Sequence, residues 1–93
     1  MKTFVICTVP TAYQSTSIHR LCGGYQKLLS GELQFKKEFP SEIEAKSFLR
    51  DRVKYLEGCG YITPDQLSEM WKDIRMYGQV SFDAATATIE IEY

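Results

Sequence analysis

The sequence predicts an α+β domain, in which a sheet of about four strands carries two or three helices and ends in a C-terminal β-hairpin. Two observations support this fold class. Residues 41–78 contain two amphipathic segments, each with its own helix start and stop signals. Residues 33–39, before them, and the segment from Val80 to Tyr93, after them, alternate apolar and polar residues, as strands do. A sheet of these strands with the helices covering one face is an α+β domain.

Length and composition limit the kind of protein this can be. The 93 residues predict a single domain, 1–93, with a small core to which five Phe, six Tyr and one Trp contribute. Eleven basic residues face twelve acidic ones, and the net charge is −1. Nucleic-acid-binding proteins usually carry a basic excess. The composition therefore argues against a nucleic-acid partner.

The N-terminus and the cysteines indicate a cytoplasmic protein. The apolar run that Pro10 stops is too short for a signal peptide, and no segment reaches the roughly 20 apolar residues of a membrane span. Cys7, Cys22 and Cys59 are an odd number at wide spacing, which favours reduced thiols over a disulfide framework.

Residues 2–9 predict the first strand. Val5, Cys7 and Val9 point to one face, and Phe4 and Ile6 point to the other. Because both faces carry apolar residues, we expect a central strand that is covered on both sides.

Residues 11–32 allow two interpretations. Apolar residues from Ile18 to Leu29 recur with helical spacing, which predicts a helix over 18–29 that crosses over to a parallel strand. Gly23-Gly24 lies within this stripe, and each glycine destabilises a helix by about 1 kcal/mol relative to alanine. The alternative is a strand at 25–29, a turn at 30–32 and a return strand.

Residues 33–39 predict the next strand, with Leu33, Phe35 and Phe39 on one face. Lys37 interrupts that apolar face, as the edge or the end of a sheet allows.

Two helices follow with clear signals. Ser41 and Glu44 have capping-box spacing, as do Thr63 and Gln66, and Gly58 and Gly78 are placed to end the helices. The predicted buried stripes are Ala45, Phe48, Leu49, Val53 and Leu56 in the first helix, and Leu67, Met70, Trp71, Ile74 and Tyr77 in the second.

The C-terminus predicts a β-hairpin. Val80 and Phe82 face inward on its first strand, residues 83–86 form a turn with Asp83 at its first position, and Ile89, Ile91 and Tyr93 face inward on the return.

No residue cluster specifies a chemistry, so we assign no catalytic residue, metal or cofactor. His19 is the single histidine, and it lies three residues before Cys22, but the helical stripe places that cysteine on the apolar side. A thiol-dependent enzyme or redox protein that uses Cys22 or Cys59 stays an alternative, since Cys59 lies between two glycines.

Two features indicate binding. Lys46, Arg50 and Lys54 form a row opposite the apolar stripe of their helix, which suits an anionic ligand or an acidic partner. Three tyrosines outside the stripes suit a protein interface, namely Tyr13, Tyr55 and Tyr61. The leading hypothesis is a small non-enzymatic module that binds a protein partner or a second copy of itself. The alternative is an anionic-ligand or nucleic-acid-binding protein that uses the Lys46/Arg50/Lys54 face.

Overall fold

The structure, a computed structural model, describes residues 1–10 and 15–93. In these residues three helices and five strands follow one another in a mixed order. The elements are β1 (Lys2–Thr8), α1 (Ser15–Cys22), β2 (Gln26–Lys27), β3 (Leu33–Phe39), α2 (Glu42–Gly58), α3 (Pro64–Tyr77), β4 (Gln79–Phe82) and β5 (Ala85–Glu92).

The strands of the described residues form one sheet in the order β2-β3-β1-β5-β4, and all neighbouring strands are antiparallel. β1 is central, as its apolar residues predict. The prediction of a parallel strand at 33–39 is wrong, since β1 pairs antiparallel with β3. The crossover through α1 leads instead to the short β2, which runs parallel to β1 with β3 inserted between them.

The core lies on one face of the sheet. Val5 and Cys7 on β1 are fully buried, and they share a buried cluster with residues of all three helices. Phe4 and Ile6 point to the opposite face and are only half-buried. The Cα atoms span 16 Å in the shortest dimension, which fits one sheet layer and one helix layer. The expectation that β1 is covered on both sides is therefore wrong.

Both interpretations of residues 18–29 are half correct. α1 ends at Cys22, where the N–H of Gly23 donates to the carbonyl oxygen of His19 at 2.7 Å and Gly23 takes a φ of +88°. β2 and a turn then lead into β3, and in that turn the N–H of Leu28 donates to the carbonyl oxygen of Glu32 at 2.7 Å. The glycine pair ends the helix because it supplies the left-handed residue that the exit needs.

The predicted start signal is complete in α3, whereas in α2 only the Ser41 half of the capping box forms. The Ser41 hydroxyl accepts from the N–H of Glu44, and Thr63 and Gln66 form a complete capping box. Gly78 ends α3 in the left-handed conformation, with φ +62°. Gly58 is still helical, and the left-handed residue after α2 is Gly60, with φ +82°.

Seven of the ten residues predicted for the buried stripes are buried, whereas Phe48 and Trp71 are half-buried and Tyr77 is exposed. In α2, Phe48 is half-buried and packs its ring 5.8 Å from that of Phe35 and 5.1 Å from that of Phe39. In α3, Tyr77 was expected in the core but is 71% exposed. It is the last residue of the helix, where the chain has already turned towards β4.

The C-terminal hairpin is tighter than predicted. Phe82 pairs with Ala85, so the loop has two residues instead of the four at 83–86. Asp83 takes the positive φ, 54°, that the first position of such a loop requires. Tyr93 was expected to face inward but is 99% exposed, one residue beyond β5.

Candidate binding groove between α2 and α3

α2 and α3 form an antiparallel helical pair. Lys46, near the start of α2, donates from Nζ to the carbonyl oxygen of Arg75, near the end of α3, at 3.2 Å. The inner faces of both helices are buried in the core. Between their outer faces lies a groove with a volume of about 620 Å³, which we call the α2–α3 groove.

Basic and apolar side chains share the lining of this groove, and no carboxylate is among the described residues that form it. The lining consists of Ile43, Lys46, Ser47, Arg50, Ser68, Trp71, Lys72, Ile74 and Arg75. Four of these side chains are cationic, two from each helix. A site with concentrated positive charge, an indole and aliphatic surface suits a ligand that is both anionic and apolar.

The indole of Trp71 is held in place by Arg50. Its Nε1 donates to the carbonyl oxygen of Arg50 at 3.2 Å, and the Arg50 guanidinium carbon lies 5.0 Å from the indole ring centroid. The second contact has cation–π geometry. Trp71 therefore presents a preorganised surface, because its hydrogen bond is already made within the protein.

The cations differ in how far they are neutralised. Lys46 lies 3.4 Å from Glu42 Oε1, one helical turn earlier on α2. Within the part of the chain that the structure describes, Arg50, Lys72 and Arg75 form no ion pair. These three residues therefore supply most of the uncompensated positive charge of the groove.

Lys54 lies beyond the end of this groove. It lines a smaller neighbouring hollow of about 350 Å³ together with Asp51 and Trp71, and its Nζ is 3.2 Å from Glu57 Oε2. The row predicted from the sequence is thus continuous in space, but its last member is paired with a carboxylate.

Tyr55 and Tyr61 lie outside both hollows, on the α1 side of α2. The guanidinium carbon of Arg52 lies 4.5 Å from the Tyr55 ring centroid, and that of Arg20 lies 4.4 Å from the Tyr61 ring centroid. The two tyrosines are 51% and 44% exposed. The structure therefore divides the predicted binding residues into two surfaces, and Tyr13 lies outside the described residues.

The cysteines fall into two environments. Cys22 is buried against Cys7, and the hydrogen bond with Cys7 together with burial raises the pKa of the Cys22 thiol far above its usual value. His19 is exposed, and Cys22 is buried on the apolar side of α1, as the helical stripe predicts. These features disfavour Cys22 as a nucleophile. Cys59 is exposed, and its hydrogen bond with Tyr55 raises the pKa of that phenol.

Sequence reasoning missed half of the groove. Trp71 was assigned to the buried stripe of α3, and Lys72 and Arg75 were not singled out. A signal was present, because Trp71 and Arg75 are four residues apart and so share one face of a helix. That this face lies against the basic row of α2 became visible only with the antiparallel pairing of the helices.

Known proteins give no further guide to this groove. Comparison with protein-family models, curated protein sequences and solved structures finds no match. The described residues contain no helix with the length and apolarity needed to cross a membrane. They also contain no group of three or more His, Cys, Asp or Glu side chains placed to hold a metal ion.

Proposed function

We propose that this chain is a small cytoplasmic protein-binding module, and that its α2–α3 groove takes an acidic segment of a partner protein that carries an apolar anchor. The observation that supports this most strongly is the lining of the groove. Four cations and an ordered indole converge there without a carboxylate among the described lining residues. This arrangement is complementary in charge to Asp or Glu and in surface to an aliphatic side chain.

The apolar half of the recognition rests on Ile43 and Trp71. Ile43 lies at the start of α2 and is 80% exposed, so its aliphatic side chain is available to a ligand in the groove. Trp71 lines the same groove from α3. Tryptophan and arginine are the residue types that most often dominate protein interfaces. We therefore expect Trp71 and Arg50 to contribute most of the affinity.

A protein segment fits the groove better than a nucleic acid does. The chain has a net charge of −1. Glu42 and Glu57 pair with the first and last members of the basic row, and Asp51 lines the smaller hollow together with Arg50 and Lys54. A long polyanion would meet these carboxylates, whereas a short acidic segment can stay within the cationic part of the groove. The three free cysteines support the cytoplasmic setting, since oxidising compartments favour disulfides.

Intrinsic fluorescence offers a direct test, because Trp71 is the single tryptophan. The probe is a synthetic peptide of alternating Glu and Leu, titrated at low salt. We expect a saturable change in Trp71 emission. The double variant Arg50→Gln/Arg75→Gln should weaken binding about tenfold, which corresponds to about 1.4 kcal/mol. The matched control is Lys2→Gln/Lys27→Gln, which removes the same charge from the sheet and should bind as the wild type does.

Two comparisons decide between the classes of ligand. A peptide with Lys in place of Glu should leave Trp71 emission unchanged, and a single-stranded oligonucleotide should bind more weakly than the acidic peptide. The proposal is wrong if the oligonucleotide binds more tightly. It is equally wrong if the two double variants lose the same affinity for the acidic peptide, because the charge of the groove would then have no special role.

A further inference from the structure

The two outer edges of the sheet are protected to different degrees. On one side β2 has only two residues, so β3 beyond Gln34 is itself an edge. That edge carries Lys36 and Lys37, and Lys37 points to the helix face, where its Nζ lies 5.4 Å from the ring centroids of Phe39 and Phe48. Lysines on an edge, and inward-pointing ones above all, are devices that prevent strand addition.

The opposite edge, β4, has four residues and carries no lysine. Gln79–Phe82 contains no charged residue, no proline and no glycine. The N–H of Ile89 donates to the carbonyl oxygen of Gly78 at 2.8 Å, which fixes the hydrogen-bonding alternation of the β4–β5 ladder. Because Gly78 faces β5, Val80 and Phe82 do so as well. The backbone N–H and C=O groups of Gln79 and Ser81 therefore point away from the sheet.

Space is available beside this edge. A hollow of about 400 Å³ runs along the outside of β4, lined by Asp73, Tyr77, Gln79, Val80 and Ser81. Tyr77 is 71% exposed. Its large side chain at the end of α3 lines this hollow and so borders the position that an added strand would occupy.

We propose that β4 pairs antiparallel with β4 of a second copy of this chain, so that the two sheets join into one. The free donors and acceptors are arranged symmetrically about Val80. With Val80 opposite Val80 of the second copy, Gln79 of each chain exchanges both backbone hydrogen bonds with Ser81 of the other. Both valine side chains stay on the helix face, where each is already buried in its own core. Since β4 carries no charge, no like charges are opposed.

This interface is closed by a two-fold axis, which limits assembly to a dimer. It also lies on a different part of the molecule from the α2–α3 groove, since the two hollows share no lining residue. The test of the dimer therefore does not depend on whether the proposed function of the groove is correct.

Sedimentation velocity over a concentration series, combined with amide exchange by NMR, tests the dimer. We expect a monomer–dimer equilibrium in which the N–H groups of Gln79 and Ser81 exchange rapidly in dilute samples and become protected in concentrated ones. A monomer at every concentration would overturn the proposal. A dimer in which these two amides stay unprotected would overturn it too, because the contact would then use another surface.

Charge on the edge provides the second test. The double variant Gln79→Lys/Ser81→Lys places two ammonium groups opposite each other at both ends of the strand pair, and should raise the dimer dissociation constant by about tenfold or more. The control Gln26→Lys/Ser30→Lys adds the same charge at the far edge and should dimerise normally. Equal weakening in both variants contradicts the proposal. If the edge variant loses its helical circular dichroism, the amide measurement on the wild type decides alone.

Discussion

The hydroxyl of Ser17 donates a hydrogen bond to the carboxylate of Asp83, with 2.7 Å between Oγ and Oδ2. Ser17 lies on α1 and is 3% exposed, whereas Asp83 is the exposed first residue of the β4–β5 loop. The bond therefore connects the first helix to the C-terminal hairpin. It also occupies the side chain of Asp83, whose backbone holds a positive φ. One residue thus serves both the tight turn and the docking of α1.

Removal of this bond should destabilise the fold. Ser17→Ala is expected to lower the free energy of unfolding by about 1–2 kcal/mol, because the bond involves a charged acceptor and is partly buried. Asp83→Asn keeps an acceptor oxygen, and asparagine tolerates a positive φ, so this variant should lower the free energy of unfolding by a smaller amount. Urea denaturation measures both. The control is Ser68→Ala at an exposed position of α3, and equal losses for Ser17→Ala and Ser68→Ala would show that the bond contributes nothing.

Arg52 of α2 closes the C-terminal end of α1. Its Nε donates to the carbonyl oxygen of Leu21 at 3.2 Å, and its Nη2 donates to that of Arg20 at 2.8 Å. These carbonyls have no partner within the helix. Lysine cannot reproduce the two-pronged contact, so Arg52→Lys should cost about 1–2 kcal/mol and speed amide exchange in α1. Arg75→Lys, at an exposed side chain, is the control. Unchanged exchange in α1 for both variants would rule out the capping role.

The same contact explains which part of the fold could be predicted from the sequence. α2 and α3 begin at residues whose caps lie within three positions, so Ser41 and Thr63 carry the complete signal locally. The end of α1 combines a local signal, the left-handed Gly23, with a contact from Arg52, about thirty residues further along the chain. No local pattern contains the Arg52 contact, and the sequence therefore left helix and strand open for residues 18–29.

Only one wall of the candidate groove could be predicted from the sequence. The row of Lys46 and Arg50 follows from the helical period, because it lies opposite a clear apolar stripe. The other wall depends on which flank of α3 faces α2. Trp71 belongs to the apolar stripe of α3 by spacing, yet it lies at the margin of that stripe and lines the groove. Periodicity identifies the apolar side of a helix. It does not identify which other helix contacts the residues at the edge of that apolar side.

Two glycines at helix ends allow a paired test of backbone conformation. Gly78 has a φ of +62°, so Gly78→Ala should lower the free energy of unfolding by about 1–2 kcal/mol, the cost of a left-handed conformation for an L-residue. Gly58 is helical, and a Cβ added there meets nothing within 4 Å. Gly58→Ala should therefore stabilise the protein by about 0.5–1 kcal/mol. Thermal denaturation compares the two. The two variants are expected to change the stability in opposite directions. An equal loss of stability in both would contradict a left-handed Gly78 and a helical Gly58.

Thiol accessibility should separate the cysteines. Cys59 is exposed, whereas Cys7 and Cys22 are buried. Iodoacetamide at neutral pH should therefore modify one thiol of the native protein quickly and the other two only after denaturant is added. Mass spectrometry counts the adducts, and the variant Cys59→Ala should remove the fast phase. Rapid modification of Cys22 in the native protein would contradict its burial.

The buried Cys22 thiol also makes stability depend on pH in the alkaline range. Its pKa in the folded state is raised, first by the hydrogen bond with Cys7 and then by burial, whereas in the unfolded chain it ionises near its ordinary value of 9.0. Above that pH the unfolded state binds fewer protons than the folded state, so the stability that Cys22 contributes is complete below pH 9.0 and declines above it. Above pH 9.0, the free energy of unfolding of the wild type should therefore fall by about 1.4 kcal/mol per pH unit more than that of Cys22→Ala.

Urea titrations between neutral and alkaline pH measure this difference. Ser68→Ala, at an exposed position that does not titrate, should keep the wild-type slope. Parallel slopes for the wild type and Cys22→Ala would mean that the Cys22 thiolate is tolerated in the folded core.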